Sequence, residues 1–208
     1  MSNAHRWPGC SAPAVGLLAL TLPATAHAHT PIQGLGEVAS GLLHPLTTPA
    51  HVLILLGLGL LIGQRQPLNL KTPLLTFVPA SAMALGLTCT GWVAGVNQPL
   101  LITIAFAVGI LVALDKPLPR WPTRGLFGLA AVLIGLDSRV ENGGALAVFK
   151  TLLGTWISLL VVLCDVAIYG SYCTKRKWTQ IGTRVIGSWI VAISILVLAF
   201  ALRKPAPP

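Results

Sequence analysis

Residues 34–63 read GLGEVASGLLHPLTTPAHVLILLGLGLLIG, with one carboxylate, Glu37, and no lysine or arginine. About 20 apolar residues cross a bilayer core, so this run is too long for one straight span. Pro45 and Pro49 lie inside it. Each lacks a backbone donor and clashes with the preceding turn. The segment therefore divides into an interfacial helix to about Leu43, a break near Pro45 and Pro49, and a span from about Pro49 to Gly63. Composition extends that conclusion to the whole chain. Of 208 residues, 54% are hydrophobic and 9% charged, whereas an ordinary soluble domain carries roughly 25% charged residues. Such a balance argues against a soluble enzyme or a DNA-binding domain.

Toward the C-terminus five more apolar runs follow: Thr72 to Gly95, Gln98 to Leu114, Trp121 to Leu136, Ala145 to Tyr172 and Ile181 to Leu202. The expected fold class is all-α, a polytopic membrane helix bundle of about six transmembrane helices with its first span broken. Toward the N-terminus, residues 1–28 read as a cleaved signal peptide. Arg6 supplies the positive region, Ala14 to Leu22 a short apolar core, and Ala26-His27-Ala28 a small-x-small cleavage site after Pro23. Residues 29–208 then form a single membrane domain beginning at His29, whose free amine and imidazole are both nitrogen donors for Ni, Cu or Zn. Cys10 leaves with the signal, and the remaining cysteines outline no disulfide framework.

The net charge of +9 has a place in this plan. Arg65 and Lys71 follow the first span, Lys116, Arg120 and Arg124 the third, and Lys175 to Lys177 the fifth, while Arg139 alone lies in the alternate loops. Positive residues favour the cytoplasmic side, which puts both mature termini outside and agrees with a cleaved signal. Basic residues in short loops point to no nucleic-acid partner. The expected location is a bacterial inner membrane, crossed several times, with the lipid bilayer as the surrounding partner.

Ionisable groups at membrane depth are costly and usually face a partner or cavity. Glu37, Asp137 and Glu141 fall on the outer side, Asp115 reads as loop charge beside Lys116, and Asp165 is expected to pair with Arg184 across the last hairpin. The mature histidines, His29, His44 and His51, gather at the outer end of the first span. Read plainly, His44 caps the broken helix and His51 donates to a carbonyl. On a straight helix their seven-residue spacing separates them by about 10.5 Å, at 1.5 Å per residue, too far for one ion at ~2.1 Å. A break at Pro45 or Pro49 would let them converge, and broken helices commonly build transporter ion sites.

The run Ala28-His29-Thr30, then Gly41-Leu42-Leu43-His44-Pro45-Leu46, His51 and the stretch GLGLLIGQ over residues 57–64 resemble the HupE/UreJ family of hydrogenase and urease accessory membrane proteins. The family hallmark is a His-Pro pair with a second histidine seven residues after the first, normally preceded by Asp and by an earlier Gly. Ala50 and Thr48 stand at those positions here. Segments around Gly135-Leu136-Asp137-Ser138, Glu141 and residues 184–189 look like a divergent branch of the same family. The resemblance implies a six-span permease moving Ni2+, or a related divalent metal, for metalloenzyme maturation, with that ion as cargo and no permanently bound cofactor. With Asp missing at position 50, Asp137 and Glu141 become the candidate carboxylates beside His29, His44 and His51, and Ser138 a weaker one. Equally, Asp137 would cap a turn and Glu141 pair with Arg139 or Lys150 at the surface.

A second function fits the same residues: a non-transporting assembly or metal-delivery protein that docks a metalloenzyme or its accessory factors. The scarcity of polar residues in the middle spans favours it. A membrane enzyme would need a paired acid and base or a nucleophile, and none stands apart from these same groups, so the expectation is no enzyme.

Overall fold

The two prolines of the opening segment play different parts. In the computed structural model, which describes residues 36–90, 96–116, 118–140 and 143–202, helix α1 spans Glu37–Thr47, α2 spans Pro49–Gly63, and the pair is bent by 74°. The break falls at Thr48, whose backbone is extended (φ −96°, ψ 106°). Pro49 therefore opens α2, where its missing N–H has no helical role. Pro45 lies inside α1, so the helix runs past the predicted stop at Leu43. A proline there frees the carbonyl four residues earlier, that of Gly41. The Thr155 hydroxyl of a neighbouring helix lies between two acceptors, this oxygen at 3.2 Å and the Thr151 carbonyl of its own helix at 3.0 Å, and so shares its proton with the freed group, as backbone at membrane depth requires. The carbonyl of His44 collects the Thr47 and Thr48 hydroxyls at 3.0 Å each and the Thr48 N–H at 3.2 Å. These bonds close the end of α1.

Five further helices follow: α3 (Lys71–Thr88), α4 (Gln98–Leu114), α5 (Arg120–Asp137), α6 (Ala145–Cys173) and α7 (Lys177–Leu202). No strand occurs among the described residues. Helices α6 and α7 are long and apolar enough to cross a membrane, and the bent pair α1–α2 makes a third if it acts as one span. Helix α4 is apolar but shorter. Helices α3 and α5 have 18 residues each, or about 27 Å of rise. Among the described residues two helices, or three elements if the bent pair acts as one span, meet the length and hydropathy of a membrane span, against the six expected.

Helix α2 occupies the centre. It is apolar all round, the mark of a buried helix, and Ile54, Leu55 and Leu58 are fully enclosed. It packs on α6 and α4; α1 also packs on α6, α3 on α5, and α7 on α4. Missing side chains set one of these contacts. A Cβ on Gly41 would overlap the Thr151 carbonyl, and one on Gly154 the Val38 carbonyl, so α1 and α6 lie backbone to backbone. Outward, Leu153, Ile157 and Val161 of α6 and Leu196 and Phe200 of α7 are exposed, faces suited to lipid rather than water.

The basic loops share one end of the bundle. Arg65 donates to the Lys116 carbonyl, and Gln66 Nε2 donates to Thr174 Oγ1 at 3.0 Å. Trp121, Tyr172 and Trp178 stand exposed at this end, Lys175 Nζ lies 4.6 Å from the Tyr172 ring centre and the Arg124 guanidinium 5.5 Å from that of Trp121. Aromatic and basic side chains together at one level form the belt seen at membrane interfaces.

The expected Asp165–Arg184 pair does not form. Arg184 Nε donates to the Ala113 carbonyl of α4 at 3.0 Å, and Asp165 is exposed on α6. Helix α7 packs chiefly on α4, not on its hairpin partner. Gly187 permits this: a Cβ there would sit 2.6 Å from the Ala113 nitrogen.

Candidate metal centre

His51 is in the first turn of α2 and completely buried, and Asp137 is the last residue of α5, its side chain 15% exposed. His51 Nε2 lies 3.0 Å from Asp137 Oδ2. A carboxylate at a helix C-terminus faces the negative end of its own helix dipole, whereas the first turn of another helix presents the positive end. Docking on α2 therefore suits Asp137 better than the turn-capping role open to it in the sequence. Ser138 takes the capping position instead, its buried hydroxyl donating to the Ile134 carbonyl at 2.8 Å.

Paired with a neutral imidazole, a carboxylate that only accepts hydrogen bonds receives one from the ring N–H at Nε2. Nδ1 is then the lone-pair nitrogen. It is buried without a hydrogen-bond partner. Histidine ligands commonly donate one ring N–H to a carboxylate while the other nitrogen binds metal, the carboxylate fixing tautomer and ring orientation. His44 completes a local cluster: its ring centre lies 5.5 Å from that of His51, with the planes at 69°. The bend at Thr48 brings together two rings that a continuous helix would hold about 10.5 Å apart.

Among the described residues, no group of three or more His, Cys, Asp or Glu is close enough to hold a metal ion by itself. The described part of the cluster is two imidazoles with one carboxylate behind the second. His29 and Glu141 lie outside the described residues. Sequence reasoning missed Thr155, which reaches the carbonyl freed by Pro45 and ties the His44 helix to α6. The pairing of an in-helix proline with a hydroxyl on a distant span is its one sequence trace.

The family model described as HupE / UreJ protein matches residues 17–197. The chain belongs to the HupE / UreJ family. This is a family of membrane proteins associated with nickel or cobalt transport or an accessory function, not of catalytic enzymes. No curated protein and no solved structure matches the chain. In this HupE / UreJ protein the second histidine of the family element, preceded in sequence by Ala50, meets a carboxylate across the fold, from α5.

Proposed function

We propose that the protein is a permease for a divalent transition metal, with Ni2+ as substrate, supplying metalloenzyme maturation from a bacterial inner membrane. The observation that carries this is a fully buried imidazole with Nε2 held by Asp137 and Nδ1 without a partner. His51 Nδ1 and a His44 ring nitrogen are the capturing donors, Asp137 positions His51, and His29 and Glu141 complete the ion's shell at the mouth. Nitrogen donors suit Ni2+ over Mg2+. In this proposal the mature domain, residues 29–208, crosses the bilayer six times after loss of the signal peptide, with both termini outside. Support comes from the three basic loops and the aromatic belt at one end, the histidines belonging to the other side of the bundle.

One observation favours the alternative of a non-transporting protein that delivers metal or docks an accessory factor. Beyond His51, the buried residues of α2 as far as Gly63 are leucine, isoleucine and glycine, which offer an ion no ligands. Proteoliposomes holding only the purified chain separate the two. A permease accumulates 63Ni2+, and the His44→Ala/His51→Ala variant does not. Metal binding without accumulation in the wild type would establish delivery, and the absence of both would sink the metal assignment.

A further inference from the structure

At the opposite end from His51, a cavity of about 150 Å³ opens between the C-terminal end of α2 and the first turns of α3 and α5. Arg65, Asn69, Thr72, Arg120 and Thr123 line it over a floor that includes Phe127, and no carboxylate is among its lining residues. Two arginines sharing a cavity without a counter-charge repel each other. The N-terminal ends of α3 and α5 add positive partial charge to the same space, since Thr72 and Arg120 belong to their first turns. A phosphate group is the natural complement: arginine forks match its oxygens, and 150 Å³ is about five times the liquid volume of a water, ~30 Å³.

We propose that this cavity binds the phosphate of an anionic phospholipid headgroup. A lipid source follows from its level, because exposed Trp121, at 79%, immediately follows Arg120 and belongs to the interfacial belt that marks headgroup depth. Basic pockets between transmembrane helices at the cytoplasmic face are recurrent headgroup sites. Bound there, the phosphate links α2 to α5, the two helices whose other ends carry His51 and Asp137. The inference stands on cavity and charge and does not depend on the metal reading.

The test titrates the purified full-length protein in detergent micelles with phosphatidylglycerol, phosphatidylcholine or inorganic phosphate, read by tryptophan fluorescence. Phosphatidylglycerol should bind on the order of tenfold more tightly than phosphatidylcholine. Arg120→Gln should abolish most of that preference, whereas Arg176→Gln, on another loop at the same end, should keep it. Arg120 is exposed and its side chain makes no hydrogen bond among the described residues, so it carries the test even if Arg65→Gln fails to fold. Inorganic phosphate that competes with the lipid would show a phosphate site also open to soluble anions; phosphate that does not compete would assign the site to lipid alone. Equal binding of the two lipids, an unchanged preference in Arg120→Gln, or an equal loss in Arg176→Gln would overturn the proposal.

Discussion

At the residue scale, Asp137 is a positioning group, and its replacement separates charge from shape. Asp137→Asn keeps an oxygen for the His51 N–H but removes the negative charge. Metal affinity is expected to fall on the order of 10–100-fold, measured by 63Ni2+ binding to the purified variant, with the fold intact. Asp137→Ala goes further and leaves both nitrogens of a buried imidazole without partners, at a cost of about 1–3 kcal/mol, visible as a lower unfolding temperature. Undiminished metal binding in both variants would remove Asp137 from the centre. That Asp137 and the two histidines lie on one side of the bundle was legible from charge and proline placement. The atom-level division of labour was not, because it depends on which oxygen meets which ring nitrogen across the fold.

At the scale of elements, α1 is held by what its neighbours lack and by one hydroxyl. Thr155→Val removes the donor that serves the Gly41 carbonyl while nearly preserving side-chain volume. The cost should be about 1–3 kcal/mol for the unsatisfied buried acceptor. Gly41→Ala forces its Cβ against the Thr151 carbonyl and should cost a similar ~1–3 kcal/mol through overpacking. Gly182→Ala in α7, where no atom lies within 4 Å of an added Cβ, should be neutral or stabilising by up to about 1 kcal/mol. Thermal unfolding of the three variants in one detergent gives the ranking, and equal midpoints would refute the close α1–α6 seat. The broken first span near Pro45 and Pro49 was legible in the sequence, but its first helix runs on past Leu43 to Thr47, since proline removes a donor without forbidding a helix whose freed carbonyl has another partner. Sequence also paired α7 with the wrong helix: adjacency along the chain brings a hairpin's ends together, whereas Gly187 of α7 and Gly109 of α4, where an added Cβ would meet Ile190 at 2.9 Å, decide which faces can approach.

For the whole molecule, the distribution of charge is the testable quantity. With Cys10, Cys89, Cys164 and Cys173 replaced by serine, Asn97→Cys should react with a membrane-impermeant maleimide in intact spheroplasts. Lys175→Cys should react only after permeabilisation, and the reverse pattern would invert the proposed topology. The gathering of the basic loops at one end was readable from the sequence, because loop charge is a local signal. The helix pairings were not, because they arise from shape complementarity between segments far apart.

The long range of those pairings has a consequence for how the protein is made. The His51 carboxylate lies 86 residues downstream, and the hydroxyl serving α1 lies 114 residues beyond Gly41. A nascent chain halted after α5 would hold the imidazole–carboxylate pair yet have no seat for the helix bearing His44. Helix α1, the first of the described helices to be synthesised, is therefore among the last to be locked into place, and the mouth of the site matures only once α6 has been added.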